Sequence, residues 1–268
     1  MSATGWRALA LRGGDVARAL DYLQVHGDVQ GSLEEDEGLV VWLTGAVPRL
    51  PSELAVEVEE RVVADEDFTI TGLEDDAEIL VSDDLLVRPP WVARPEDFAG
   101  VELVVPRGGA FGSGEHASTQ AALLALHRTW CAPESFADVG CGSGVLGLYA
   151  QVRGVAHLEC CDVDAPSVAA TRALLPGARV ERGGAEALGP CEQVVANMTG
   201  QELRGSLTAI RSLWRGPAPL VLSGMRADEV DGLIAAVGAP VQDRFVIGAF
   251  TAVAFCAEAG GGRDQPRR

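Results

Sequence analysis

The chain of 268 residues carries 39 acidic against 21 basic side chains, a formal net charge of −18, and its mean hydropathy of +0.15 is that of a globular protein with a sizeable core. It has no 18-residue apolar run and no basic-then-apolar leader, which argues against a helical membrane span or a secretory signal and makes a soluble, cytoplasmic protein the expectation. The charge is uneven, with 22 acids and 7 arginines (net −15) in residues 1–100 against 17 acids and 14 arginines (net −3) in the other 168, a field that repels nucleic acid and attracts a basic protein.

The first 75 residues read as a β-α-β-β-α-β unit, the ferredoxin-like pattern. Strands are expected over 6–11, 29–33 and 38–43, the last two joined across the acidic turn Glu34-Glu35-Asp36-Glu37. A helix is expected over 15–25 with Asp15 as N-cap, a second over 52–63 opened by Pro51 and Ser52, and a closing strand over 68–73. The domain boundary is expected near residue 80. Residues 81–109, with Pro89-Pro90, Pro95 and short apolar strands at 85–88 and 101–105, read as a linker.

From residue 110 to 258 helices and strands alternate. Helices are expected over 119–130, 145–152, 167–174, 202–213 and 229–237, and strands over 136–139, 157–161, 179–181, 193–197 and 220–222. That order gives a doubly wound parallel α/β sheet. The pair 241–247 and 250–257, joined through Gly248, is a hairpin whose last strand must run antiparallel. This shape is closer to the sheet of S-adenosylmethionine-dependent methyltransferases than to a nicotinamide domain. The glycine-rich end, 259–268, is expected to be disordered.

The chemistry concentrates at Phe136-Ala-Asp-Val-Gly-Cys-Gly-Ser-Gly144, a buried strand passing through Gly140, Gly142 and Gly144 into a helix. Glycines let a ligand lie on the backbone, and the helix N-terminus favours an anionic group. Asp162, at the end of the next strand and twenty residues past Gly142, stands where such folds bind the hydroxyls of a ribose. A nucleoside cofactor is implied. Glycines alone do not separate S-adenosylmethionine from a dinucleotide, because Gly142-Ser-Gly-Val-Leu-Gly147 also satisfies G-x-G-x-x-G. Asn197 ends another strand, where its side-chain oxygen can accept a hydrogen bond from a substrate amine. Ser118 reads as a helix N-cap, and His116 as a turn residue or, less simply, a base. The six cysteines form no C-x-x-C and the four histidines complete no zinc set, so free, mostly buried thiols and no metal are expected.

The runs AFGSGEHAST (110–119), DVGCGSG (138–144), CDVDA (161–165), VVANMT (194–199) and LVLSGM (220–225) occur in this order. Together they resemble the PrmA family, the methyltransferases of ribosomal protein L11. The resemblance implies S-adenosylmethionine as cofactor, with contacts from Thr119, Gly140, Asp162 and Asn197 and the loop through Gly142 and Gly144 beneath it. By position, Glu186 lies toward the adenine. It implies Asn197 as the residue nearest the chemistry, an N-terminal substrate-recognition domain over residues 1–80, and a basic ribosomal protein as partner. A monomer with no direct nucleic-acid or membrane contact is expected. Ser113 and Ser118 stand where the family pattern has threonine, Ala117 and Ala165 where it has proline, and Met198-Thr199 where it has an aliphatic pair.

Overall fold

The computed structural model describes residues 6–35, 38–44, 46–61, 77–106 and 112–257, and the chain divides into two compact units, residues 1–75 and 76–268. The strand expected over 68–73 and the tail over 259–268 lie outside the described residues.

In the first unit, β1 (Trp6–Arg12), β2 (Asp28–Glu35), β3 (Gly38–Thr44) and β4 (Glu57–Arg61) form an antiparallel sheet in the order β2-β3-β1-β4. The one α-helix described here, α1 (Val16–His26), is capped by Asp15, whose Oδ1 accepts from Arg18 N–H at 3.1 Å. Leu9, Leu11, Leu23, Val41 and Leu43 form its core.

Over the described residues 52–61 the helix expected over 52–63 is absent. Residues Ser52–Leu54 make one 3-10 turn, which stops where Ala55 takes a left-handed conformation (φ 51°), and β4 follows. Glutamates favour a helix, but Leu54, Val56 and Val58 recur at every second position, the period of a strand. Val58 and Glu60 pair opposite Leu11 and Leu9 of β1. The ladder outweighs the local propensity.

The second unit opens with β5 (Ile79–Ser82), β6 (Leu85–Arg88) and β7 (Val101–Val104), a three-stranded sheet in which β5 runs antiparallel and β7 parallel to β6. This corrects the linker reading over the described residues 81–106. Val81, Leu85, Val87, Leu103 and Val105 belong to the core of the second unit. Glu102 pairs with both Arg88 and Arg94 and ties β7 to the segment between β6 and β7.

There follow α2 (Ala117–Thr129), β8 (Ser135–Val139), α3 (Val145–Val152), β9 (His157–Asp162), α4 (Ala165–Leu174) and β10 (Arg179–Arg182). The chain continues through β11 (Gln193–Asn197), α5 (Gly200–Leu213), β12 (Leu220–Arg226), α6 (Ala227–Val237), β13 (Val241–Ile247) and β14 (Phe250–Phe255). The sheet order is β10-β9-β8-β11-β12-β14-β13. Strands β8 to β12 are parallel, and β14 lies antiparallel between β12 and β13, as the terminal hairpin requires. Order reverses at β8, with β9 on one side and β11 on the other, and a crevice opens at such a point.

Alternation along β11 fills both faces of this sheet. Val195 joins the core under α2 and α3 with Leu126, Phe136 and Tyr149, while Val194 and Ala196 join Leu203, Ile210, Leu222 and Leu233 under α5 and α6. No helix among the described residues is long and apolar enough to cross a membrane. If β5–β7 are core, Leu103→Ala, which empties a site of 0% exposure, should destabilise the second unit by about 2–5 kcal/mol. Urea unfolding followed by near-ultraviolet circular dichroism measures this; a loss under about 0.5 kcal/mol, the range of surface substitutions, would return the segment to a linker.

Candidate active site

At the end of β8 the chain turns through Gly140, whose N–H donates to Cys161 O at 2.9 Å, joined by Cys141 N–H to the same oxygen at 3.0 Å. This fastens the loop to β9. Gly140 has φ 72°, a conformation that favours glycine, and a Cβ there would meet Met198 Sδ at 2.9 Å and displace that side chain. Gly144 (φ 87°) is the N-cap of α3, and it packs so closely on Thr171 that a Cβ would lie 3.1 Å from Oγ1. Thr171 Oγ1 donates to Gly142 O at 2.9 Å, holding the loop from α4.

Asp162 closes the arrangement. Its Oδ2 accepts from Gly142 N–H and its Oδ1 from Asp164 N–H, each at 2.9 Å. An ionised carboxylate offers about four lone-pair sites, so two remain for hydroxyl donors. The residues present therefore fit a ribose bearing two hydroxyls, lying along a backbone stripped of side chains. Glu186 sits in a 3-10 turn after β10 and accepts from Gly184 N–H through Oε1.

Across the crevice, Asn197 Nδ2 donates to Thr119 Oγ1 at 3.2 Å, joining the end of β11 to the first turn of α2. Thr119 is buried, and Ser223 of β12 donates from Oγ to Ser118 O at 2.8 Å. With Nδ2 engaged, Oδ1 is the end of Asn197 that accepts. The segment before α2 also reaches the glycine loop, where Ser143 Oγ donates to Gly112 O at 2.8 Å. The candidates thus gather in two groups, Gly140, Gly142, Gly144 and Asp162 on one side and Thr119 with Asn197 on the other.

Ser118 is not the N-cap of α2. That role falls to His116, whose Nδ1 accepts from Ser118 N–H at 3.3 Å and lies 2.7 Å from Ser118 Oγ. An accepting Nδ1 puts the proton on Nε2, so His116 presents a donor there rather than a base. Partial burial, and then the Arg226 guanidinium, push its pKa below the ordinary imidazole value. Its ring lies against Phe250 with centroids 4.6 Å apart.

Two neighbours escaped sequence reasoning. Met198 covers Gly140. Asp138, fully buried in β8, accepts from Gly147 N–H through Oδ2 at 3.0 Å; an acid inside a buried apolar strand was the available signal. The thiols near the loop are free and inert, since burial raises Cys141, Cys160 and Cys161. Among the described residues no cluster of three or more metal-ligating side chains occurs.

A seven-stranded sheet with one reversed strand near its edge, a glycine loop at the order reversal and a carboxylate closing it define the S-adenosylmethionine-dependent methyltransferases. The nicotinamide reading of Gly142–Gly147 is set aside with them. The family model described as ribosomal protein L11 methyltransferase (PrmA) matches residues 31–242, and the chain belongs to that family. The ribosomal protein L11 methyltransferase of Dechloromonas aromatica is 33% identical over 222 residues, 79% of this chain and 72% of the relative. That of Thiobacillus denitrificans is 29% identical over 207 residues, 76% of this chain and 70% of the relative. The crystal structure of ribosomal protein L11 methylase from Lactobacillus delbrueckii subsp. bulgaricus superposes with a TM-score of 0.61 at 22% identity, over 68% of this chain and 98% of that one, a likeness of fold.

The cap makes a measurable demand. His116→Ala should cost about 1 kcal/mol at neutral pH, the value of an ordinary N-cap. The depressed folded-state pKa means the native protein binds fewer protons than the unfolded chain, so the cap's contribution is present above the ordinary value of 6.5 and is lost as pH falls below it. Chemical denaturation of both proteins at several pH values checks this; a cost that grew toward acid pH would exclude the neutral cap.

Proposed function

We propose that this chain methylates amino groups of ribosomal protein L11, with Asp162, the glycine loop, Thr119 and Asn197 holding the cofactor and Asn197 aligning the amine. The observation that carries the reading is the extent of the family match, which runs from within the first unit to β13. S-adenosylmethionine, when bound, supplies a methyl group on a sulfonium with its leaving group already in place. The work left to the chain is to bind, align and exclude water.

Asp162 accepts the two ribose hydroxyls with the lone pairs its backbone bonds leave over. Gly140, Gly142 and Gly144 give the cofactor a bare backbone to lie on. Asn197 Oδ1 accepts an N–H of the substrate amine and aims its lone pair, an effect of orientation. Deprotonation is the main cost. A lysine of pKa ~10.4 requires roughly 4.6 kcal/mol to be neutral at pH 7, and a terminal amine near ~7.7–8 about 1 kcal/mol. Desolvation in a closed crevice lowers the lysine figure. Positioning and desolvation serve in place of a dedicated base, in keeping with the proton on Nε2 of His116.

Recognition of the protein partner is assigned to the first unit. Residues 1–75 hold 16 acids and 5 arginines, a net charge of −11, which suits a basic ribosomal protein and steers its approach at low salt.

The test is mass spectrometry of purified L11 after incubation with the protein and S-adenosylmethionine. The expected result is added methyl groups on its amines; unmodified L11 alongside intact cofactor binding would refute this substrate. Asp162→Ala should weaken cofactor affinity about ten- to a few hundred-fold, from charge-assisted bonds worth roughly 1.5–3 kcal/mol each. An unchanged Kd by calorimetry would remove Asp162 from the cofactor site.

A further inference from the structure

Asp138 is a buried acid that the reaction as described does not use. It lies in β8 just before the glycine loop, with 0% of its surface exposed. Its Oδ2 accepts from Gly147 N–H in the first turn of α3, while its Oδ1 has no hydrogen-bond partner. The titratable groups around it are Cys141 of the loop and Cys160, Cys161 and Asp162 of β9. From β11 it faces Val195 in register. None of these is a cation.

A lone carboxylate in that setting is costly as an anion. Burial raises its pKa most, the Gly147 N–H opposes this, and Asp162 adds to the rise; together they push it up to about 7. On the S-adenosylmethionine reading, the ligand of the adjoining loop carries positive charge on its sulfonium and α-ammonium and two hydroxyls on its ribose. A cation near the loop would reverse the balance that keeps Asp138 neutral.

We propose that Asp138 holds a proton in the cofactor-free protein and releases it to solvent when the cationic end of the cofactor, its sulfonium or α-ammonium, settles on the glycine loop. The inference rests on the S-adenosylmethionine reading. It makes Asp138 a specificity-determining residue. The loop then gains a second anion beside Asp162 when a cationic ligand arrives. Affinity then falls as pH is lowered, because the proton competes with the cofactor.

Calorimetric titration of the full chain with S-adenosylmethionine, in buffers of different ionisation enthalpy, counts the protons released. The expected result at pH 7 is up to about half a proton per cofactor, with affinity weakening up to about tenfold from pH 8 to pH 6. S-adenosylhomocysteine, which keeps the ammonium and lacks the sulfonium, forms the second arm. Equal release with both ligands supports the ammonium as the trigger, and less release with the second supports the sulfonium. In Asp138→Asn, cofactor binding should persist with the proton release gone.

Should that variant fail to fold, infrared difference spectra of the wild-type protein give the same answer, since the carbonyl stretch of a protonated carboxylic acid should disappear on cofactor addition. Binding without proton release, release that persists in Asp138→Asn, or a carboxylic-acid band unchanged by cofactor would each overturn the inference and leave the cofactor reading standing. No binding of either ligand would overturn both.

Discussion

The second unit's site depends on one carboxylate. Asp162 stands at the end of β9, accepts Gly142 N–H across the gap to β8, and accepts Asp164 N–H at the start of the following turn. With the two N–H groups that Cys161 O receives from Gly140 and Cys141, it fixes the loop against the neighbouring strand before any ligand arrives. A loop of three glycines in seven residues would otherwise lose much conformational entropy on binding. Here that cost is met during folding, and a ligand finds a rigid backbone and a half-satisfied acid.

The rest of the unit supports that junction from several sides. Thr171 holds the loop from α4, Ser143 ties it to the segment before α2, and Asn197 joins α2 to the end of β11. Packing is as close as the hydrogen bonding. Met198 fills the space that a side chain at Gly140 would need, and Leu175 the space beside Gly147. The membership of β5–β7 in the same core explains why residues 77–106 are part of the second unit. Leu85 and Leu103 bury completely with Phe136 and Tyr149.

Much of this was legible because the signals were local. Strand, glycine loop and helix follow one another within residues 136–152, and Asp162 announces itself by its spacing and by ending an apolar run. The terminal hairpin was legible from Gly248 between two apolar segments. What the sequence hid depends on partners distant along the chain. Residues 57–61 have the composition of a helix and become a strand because β1 offers a free edge to pair with. The segment 79–82 is short and becomes a strand only beside β6. His116 takes the cap from Ser118 because the helix starts two residues earlier, which composition does not encode. The solitary buried state of Asp138 is a property of the folded core. The proposal that the first unit reads the protein partner rests on charge alone, and charge has little to say about shape.

The measurement that bears most directly on the account is the affinity of the full chain for S-adenosylhomocysteine against its 2′-deoxyribose counterpart, by calorimetry at one pH and salt. If Asp162 receives the ribose as a pair of hydroxyls, removing one should weaken binding by about tenfold or more, since a charge-assisted bond is lost and a lone pair is left unmet. Equal affinity for the two ligands would contradict the account, because a carboxylate held between two backbone N–H groups would then be a brace for the loop and no reader of the cofactor.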